Sequence, residues 1–224
     1  MKIDTHIHSV YSGHASLTPA AIVDFCKKNN IVPALTDHNT TAGWASFSKE
    51  AKKAGIPFIL GEEIKVCENG KPCGELLALF LEKEVKGGEI GEVLDSVRAQ
   101  DALVSAAHPF DFFRKALFFS EKRREFAKKL DAVEVFNSRS YLDSFNKKAQ
   151  AFAKKKKTPF TAGTDAHFSI ELGNAFMETD ASSLEEARKK ILKGKCSFSG
   201  HLSPRRIHVY TQLAKIEFFR QWFG

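Results

Sequence analysis

Short apolar segments typical of strands alternate with segments of helical periodicity along most of this 224-residue chain. The strand-like segments are residues 1–8, 31–36, 56–60, 64–67, 75–80, 102–107, 132–136 and 159–163. The pair 64–67 and 75–80 flanks Asn69-Gly70, a dipeptide that favours a tight hairpin turn. Regular alternation of strand and helix predicts a parallel α/β barrel or open sheet, and the length suits one sizeable core.

Histidines and carboxylates collect at the ends of these strand-like segments. Six of the eight histidines lie at those ends or in the loops just after them: His6, His8, His14, His38, His108 and His167. The carboxyl ends of parallel strands meet at one rim of a sheet or barrel, where functional side chains gather. Side chains at positions i and i+2 of a strand share one face, as in His6 and His8. The pattern predicts a metal site at this rim.

Composition is that of a soluble globular protein, with 43% hydrophobic and 27% charged residues. No apolar run reaches the roughly 18 residues of a membrane helix, and the N-terminus has no signal-peptide pattern, so we expect a cytoplasmic location. The net charge of +7 suits an anionic substrate. Much of the excess lies in 121–124 and 154–157, which we predict to be solvated helix faces. The four cysteines lack metal-site spacing and are expected to be free thiols.

Five ordered stretches make the chain resemble the PHP (polymerase and histidinol phosphatase) superfamily of metal-dependent phosphoesterases. They span Asp4 to His167 and are Asp4-Thr5-His6-Ile7-His8-Ser9, Leu35-Thr36-Asp37-His38-Asn39-Thr40-Thr41, Gly61-Glu62-Glu63-Ile64, Ala107-His108-Pro109 and Gly163-Thr164-Asp165-Ala166-His167. The resemblance implies an α/β fold, a distorted (β/α)7 TIM-like barrel. We expect one domain over 1–224, with 201–224 packed on the barrel exterior.

The resemblance also implies two or three divalent ions, Zn, Mn or Fe, at the carboxyl-end mouth. The ligands that it implies for the first ion are His6, His8, Glu63 and Asp165. Glu63 would bridge to a second ion, which His108 also holds. A third ion would take His14, His38 and His167.

Glu75 departs from the family pattern, because many relatives carry a histidine before this strand to complete the second site. Two interpretations are open. Glu75 is a ligand, which favours Mn or Fe over Zn because a carboxylate is a harder ligand than imidazole. Alternatively, it is a non-ligand beside a two-ion centre.

Several other polar residues receive supporting roles. Asp37 is expected to orient His38 by accepting a hydrogen bond, and Asp4 is expected to support the site in the same way. Glu62 is expected to face solvent. Glu134 either points to the mouth or lies within its strand, and spacing does not choose between these. Further expectations are that the phenylalanines of 110–130 pack and that His201 and His208 are structural.

The implied chemistry is hydrolysis of a phosphate ester by metal-activated water. The hypothesis is in-line attack by a metal-bridging hydroxide, with Asp165 or His167 near the nucleophile and Glu63 as the third catalytic residue. Arg139 and Asn137 are the candidate substrate-binding residues, since a guanidinium suits phosphate. A plain surface role for Arg139 is the alternative.

The substrate class expected is a nucleotide or small-molecule phosphomonoester, or the end of an oligonucleotide. Three alternatives are weighed beside it. One is a histidinol-phosphate phosphatase, and another is a non-catalytic RNA- or protein-binding PHP barrel, which would lack the metal ligands. The third is an amidohydrolase barrel, which usually carries a carboxylated lysine or a different histidine order. No membrane partner is expected.

Overall fold

The computed structural model describes residues 1–114, 117 and 122–223. Its strands are β1 (Lys2–Ile7), β2 (Ile31–Leu35), β3 (Ile59–Glu68), β4 (Lys71–Leu79), β5 (Gly88–Glu89), β6 (Leu103–Ala106), β7 (Ala132–Asn137), β8 (Phe160–Gly163), β9 (Ala175–Glu178) and β10 (Ser197–Gly200). Its helices are α1 (Pro19–Asn29), α2 (Trp44–Ala54), α3 (Ile90–Arg98), α4 (Asp143–Lys156), α5 (Leu184–Leu192) and α6 (Arg206–Phe223). In this part of the chain, no helix has both the length and the apolar character needed to cross a bilayer.

The strands form one curved sheet in the order β10-β9-β1-β2-β3-β4-β6-β7-β8, with β5 beside β3. The pairs β1–β2, β2–β3, β6–β7 and β7–β8 are parallel, whereas β4 runs antiparallel to β3 and β6. Just after β8, Asp165 N donates to His6 O at 2.7 Å, and His8 N donates to Ala166 O at 2.9 Å. The sheet is therefore nearly closed into a barrel, which confirms the predicted fold class.

Local sequence signals explain where these elements begin and end. The Thr18 side chain accepts a hydrogen bond from Ala21 N, and Pro19 occupies the first helical position of α1, as helix starts favour. Asn69 and Gly70 have φ of 54° and 70°. Positive φ at both central residues is what a tight β3–β4 hairpin turn requires, so the predicted hairpin is confirmed.

Strand β3 differs from the prediction. The segments 56–60 and 64–67 were expected as two strands, yet one strand begins at Ile59 and continues to Glu68. Pairing with β4 holds it together, from Gly61 opposite Leu79 to Glu68 opposite Lys71. Glu62 and Glu63 therefore lie inside a strand and point to opposite faces of the barrel wall.

Strands β9 and β10 were not predicted. They are only four residues long each and pair antiparallel with each other, and β9 also pairs antiparallel with β1. They extend the sheet beyond β1, on the side away from β2. Four residues are too few to show a clear strand periodicity. These segments form strands because they pair with neighbouring strands.

The helices cover the outside of the sheet with their apolar faces. On α1, Ile22 and Cys26 are buried against Phe47 of α2, in one cluster with Ile7 and Leu35. The basic run at the end of α4, 154–157, is exposed as predicted. The side chains of the other basic run, 121–124, lie outside the described residues.

The C-terminal helix α6 begins beside the barrel mouth. Ile207 in its first turn is fully buried, and Thr211 one turn later is 9% exposed. The side chains of 217–223 are not among those described, so for the end of this helix the expected packing on the barrel exterior stays a prediction.

Candidate metal centre

The strand order brings the predicted ligands to one end of the barrel. β1 carries His6, β3 carries Glu63 and β4 carries Glu75. The remaining predicted ligands follow the ends of β1, β2, β6 and β8: His8, His14, His38, His108, Asp165 and His167. Among these nine residues, His6, His8 and Glu63 are completely buried. Buried groups of this kind require partners or ions, since isolated buried charges are costly.

One compact group contains His6, His8, Glu63 and Asp165. One ligand atom from each lies within 4.8 Å of all the others. The His8 Nε2 atom lies 3.2 Å from Glu63 Oε2 and 3.1 Å from Asp165 Oδ1. His6 Nε2 lies 3.4 Å and 3.5 Å from the same two oxygens. Two imidazoles and two carboxylates converging in this way form a donor set suited to a divalent ion.

The hydrogen bonds of His6 and His8 direct their lone pairs inward. The Nδ1 atom of His6 lies 2.9 Å from Glu134 Oε1, so it is the donor to a carboxylate. The Nδ1 atom of His8 lies 3.1 Å from Ser12 Oγ, whose own hydrogen goes to Asp37 at 2.6 Å. Both Nδ1 atoms then carry protons, so in the neutral imidazoles that bind metal the Nε2 atom of each ring is the acceptor. These two acceptors face each other at 3.0 Å, an arrangement that a cation between them would stabilise.

A second pair of histidines repeats this arrangement. His167 Nδ1 lies 2.9 Å from the Asp165 carbonyl oxygen, and His14 Nδ1 lies 3.0 Å from the Ser12 carbonyl oxygen. A carbonyl accepts only, so both Nδ1 atoms donate. The two Nε2 atoms, 3.1 Å apart, again face each other as acceptors. His38 stacks on His14 with ring centroids 5.1 Å apart, so the three residues predicted for a third ion are neighbours.

The other carboxylate oxygens of the cluster extend it towards β4 and β6. Glu63 Oε1 lies 2.9 Å from His108 Nε2, and Glu63 Oε2 lies 2.8 Å from His38 Nδ1. Glu75 Oε2 is 3.4 Å from His108 Nε2. Glu63 therefore has a different neighbour on each oxygen, as a bridging ligand requires. Glu75 lies where it can serve as a ligand together with His38 and Glu63.

The electrostatics favour ionised carboxylates here. Burial alone would raise the pKa of Glu63, but the charges of His6 and His38 hold the pKa of that carboxyl well below its usual value. Burial is likewise outweighed at Asp165, where His6 and Arg114 hold the carboxyl pKa well below normal. Burial and the Arg139 charge keep the pKa of His167 well below normal. Glu63, Asp165 and His167 are thus held in the deprotonated forms that metals bind. Despite burial, the neighbouring carboxylates raise the pKa of His6 and His8, so a bound metal would displace the Nε2 protons of these two imidazoles.

The backbone is unusual at two of these residues. His108 has φ of 27° and Asp165 has φ of 55°, in the left-handed region that side chains other than glycine rarely adopt. Such conformations cost on the order of 1–3 kcal/mol each and cluster at functional sites. At Gly163, an added Cβ would lie 2.6 Å from His6 Cβ, so only glycine allows β8 to approach β1 here.

Glu134 points into the site, which settles the alternative left open by the sequence. Its Oε1 atom accepts from His6 Nδ1, and its Oε2 atom accepts from His108 N at 2.6 Å and from Asn137 Nδ2 at 3.1 Å. Asn137 also donates to Asp165 Oδ2 at 3.2 Å and is completely buried. Asn137, predicted to bind substrate, therefore lies behind Asp165, where it positions the carboxylate.

The expectation for Asp37 was wrong. Its carboxylate accepts from Ser9 N and Ser9 Oγ, each at 2.7 Å, and from Ser12 Oγ, which in turn accepts from His8. Asp37 thus supports His8 through Ser12, because its partners are Ser9 and Ser12 in the loop after β1. The His38 ring instead faces Glu63, with Nδ1 2.8 Å from Glu63 Oε2. Asp4 supports the site as expected, through hydrogen bonds to Thr164 N at 2.9 Å and to the Thr164 hydroxyl.

Glu62 also differs from the prediction, since it is fully buried. The chain after β4 covers this face of β3, and Val85 N donates to Glu62 Oε2 at 3.0 Å. Burial raises the pKa of the Glu62 carboxyl to about 7.

A cavity of about 300 Å³ opens above the cluster. Its walls include six of the predicted ligands and Arg139. They also include residues that were not predicted as site residues: Lys65, Phe113, Arg114, Tyr141, His208, Thr211 and Gln212. Phe113 and His208 were expected to pack or to be structural, yet both face this cavity. The loop after β6 could have indicated Arg114 and Phe113, since carboxyl-end loops build such sites. No local pattern indicates the residues from α6.

Two arginines place positive charge beside the cluster. Arg114 pairs with Asp165, donates to Asn137 Oδ1 at 3.2 Å and is held by Asp111 at 3.2 Å. Arg139 is 4% exposed, so the surface alternative does not apply, and its Nε lies 3.2 Å from Glu171 Oε1. Both guanidinium groups line the cavity and can meet an anion there.

An α/β barrel with a cluster of potential metal ligands at its carboxyl-end mouth defines the class of protein. Within that class, the model of the PHP domain matches residues 4–208, so the chain belongs to the PHP domain family. An uncharacterised protein of Methanocaldococcus jannaschii is 38% identical over 192 residues, which cover 83% of this chain and 73% of that protein. A 3',5'-nucleoside bisphosphate phosphatase of Chromobacterium violaceum is 42% identical over 66 residues, only 29% of this chain and 23% of the phosphatase.

Solved structures agree on the fold. A two-domain protein of Bacteroides vulgatus containing a predicted PHP-like metal-dependent phosphoesterase superposes with a TM-score of 0.75 at 19% identity. The match covers 96% of this chain and 69% of that protein. A putative metal-dependent phosphoesterase of Bifidobacterium adolescentis gives a TM-score of 0.64 at 18% identity, with 86% and 96% covered.

Proposed function

We propose that this protein is a metal-dependent phosphatase that hydrolyses phosphomonoesters of nucleotides or small molecules, including phosphorylated oligonucleotide ends. The observation that carries the proposal is the pairing of inward-facing Nε2 acceptors, His6 with His8 and His14 with His167, beside ionised Glu63 and Asp165. Such a donor set fits cations. This donor set argues against the non-catalytic barrel, because a barrel that only binds RNA or protein does not need metal ligands.

The nine predicted ligands would hold two or three divalent ions, Zn, Mn or Fe. Bound ions would supply an activated water and neutralise phosphoryl charge. In the hydrolysis, a water oxygen bonds to phosphorus, the ester P–O bond breaks, and the departing alcohol takes a proton. Inorganic phosphate is the second product.

The chain's own residues would orient this reaction. Asp165, held ionised, would accept a hydrogen bond from the attacking water, and His167 would lie beside it, with Glu63 opposite. Arg114 and Arg139 would bind phosphoryl oxygens, because planar guanidinium groups match phosphate geometry. We further propose that the protein acts on a dissolved phosphate ester in the cytoplasm, without a membrane partner.

The test combines metal analysis of the purified protein with a phosphatase screen. The screen covers mono- and bisphosphates, histidinol phosphate and short phosphorylated oligonucleotides, each with Mn, Zn or Fe. We expect bound metal and metal-dependent phosphate release. His8→Ala should abolish release while the circular dichroism spectrum stays unchanged, and His201→Ala, at an exposed histidine away from the cavity, should behave as wild type. A protein without bound metal and without metal-dependent release would refute the proposal.

A further inference from the structure

Helix α6 forms the wall of the cavity opposite the metal ligands. Its residues His208, Thr211 and Gln212 line the cavity together with Tyr141 from the loop after β7. The match to the PHP domain ends at residue 208, so Thr211 and Gln212 lie beyond the part of the chain that the family describes. His208, by contrast, is the last residue of that match.

Thr211 connects α6 to the phosphate-binding side of the cavity. Its hydroxyl donates to Ile207 O at 2.9 Å and accepts from the guanidinium of Arg139. On its other side, Arg139 pairs with Glu171, whose Oε2 accepts from His167 N at 3.0 Å. Arg139 is thus held between α6 and the loop that carries a predicted metal ligand.

His208 and Gln212 present uncharged polar groups to the cavity. The His208 ring stacks on Tyr141, with centroids 3.6 Å apart and 10° between the ring planes. Burial and the nearby Arg139 charge lower the pKa of His208 to about 4, so its imidazole is neutral at neutral pH. A neutral imidazole and a carboxamide each offer a donor and an acceptor.

We infer that His208 and Gln212 determine specificity for the leaving group, and that the preferred phosphomonoester carries an uncharged, hydroxyl-bearing group at this wall. The inference rests on the proposed phosphatase function. The arginines meet the phosphate charge, whereas this wall offers hydrogen bonds without charge. A wall of uncharged hydrogen-bonding groups disfavours a ligand that lacks hydroxyls, because the polar groups of the protein then stay unpaired when the ligand binds. Thr211 is a positioning residue that acts through Arg139.

The test compares glycerol 2-phosphate with isopropyl phosphate. Both carry phosphate on a secondary carbon, and they differ only in their hydroxyl groups. For wild type, we expect kcat/KM to favour glycerol 2-phosphate by about 10-fold or more. Gln212→Leu and His208→Phe, which keeps a ring on Tyr141, should each lower this ratio by raising KM for glycerol 2-phosphate alone. Val209→Ala, at a 59% exposed position of α6, is the control and should keep the ratio.

Thr211 calls for a different readout. Thr211→Val removes the oxygen that accepts from Arg139, so KM should rise for both esters equally, with kcat less affected. Thr211→Ser keeps that oxygen and should restore KM. Equal KM values for wild type and Thr211→Val would overturn the positioning role.

Binding of both esters to the metal-loaded protein, measured by calorimetry, separates the two proposals. If wild type hydrolyses both esters equally well, or if the ratio survives in both variants, the inference is overturned and the phosphatase function stands. If wild type releases no phosphate from any ester, the proposed function fails and binding decides the inference. Tighter binding of glycerol 2-phosphate that is lost in Gln212→Leu supports it, and equal binding of both esters overturns it.

Discussion

The Nε2 atoms of His6 and His8 lie 3.0 Å apart, and when both imidazoles are neutral and donate through Nδ1, each Nε2 presents a lone pair to the other. Two lone pairs at this distance repel each other in a buried site. Glu63 and Asp165 add negative charge around them. A bound cation would convert this repulsion into attraction, so the folded state should depend on metal.

We therefore predict that chelation lowers thermal stability. A ligand at a thousandfold excess over its dissociation constant stabilises the native state by about 4 kcal/mol. For a chain of this size, that corresponds to a fall in Tm on the order of 10 °C when EDTA removes the metal. Differential scanning calorimetry with and without EDTA measures it, and Mn added in excess should restore Tm. A Tm unchanged by EDTA in metal-loaded protein would contradict the prediction, and His8→Ala should show a smaller EDTA effect.

The second prediction concerns Glu134→Gln. The carboxylate accepts from His6 Nδ1 through one oxygen, and from His108 N and Asn137 through the other. Glutamine has only one accepting oxygen. If that oxygen faces His108 N and Asn137, the NH₂ group faces the donor His6 Nδ1. The His6 ring then loses its fixed orientation, and metal affinity should fall about 10- to 100-fold. Competition with a chelating dye measures this, with the exposed Glu92→Gln as the control. An affinity within twofold of wild type would show that Glu134 does not orient His6.

The sequence predicted the ligand cluster because the relevant rule is topological. Carboxyl ends of parallel strands meet, so His6, His38 and Asp165 come together whatever the detailed packing. Glu63 was placed correctly only by resemblance, since it lies within a strand. The supporting carboxylates were harder to predict, because Asp37 and Glu134 differ in function through side-chain direction, which depends on neighbours far along the chain.

The cavity wall could not be predicted from local patterns. His208 and Thr211 reach the mouth because α6 packs there through Ile207 and the Arg139 contact. The Arg139–Thr211 contact joins residues 72 positions apart. Periodicity identifies a helix, but it does not say which loops the helix meets.

Glu75 provides the third prediction. Its Oε2 atom lies 3.4 Å from His108 Nε2, and the residue groups with His38 and Glu63. If Glu75 is a ligand, Glu75→Ala should lose one ion per chain. Glu75→His should retain that ion and shift preference from Mn towards Zn, because imidazole is a softer ligand than carboxylate. Elemental analysis after loading from an equimolar Zn and Mn mixture measures both. Unchanged stoichiometry in Glu75→Ala would identify Glu75 as a non-ligand.

The last prediction concerns pH and His208. Burial, together with the charges of Arg139 and Arg114, lowers the pKa of this imidazole from 6.5 to about 4. The unfolded chain therefore binds more protons at this residue between about pH 4 and 6.5, so the contribution of His208 to stability falls as pH decreases through that window. Titration of the His208 ring followed by NMR should give a midpoint near 4.

Arg139→Gln should raise that midpoint, because it removes a neighbouring positive charge. The control is Arg98→Gln, at a half-exposed arginine of α3 paired with Asp95, which should leave the midpoint unchanged. His208→Phe should lose less stability than wild type between pH 7 and pH 5 in urea unfolding. A wild-type midpoint near 6.5 would mean that the imidazole is solvated and able to carry charge, and α6 would then present a cation where a neutral wall is proposed.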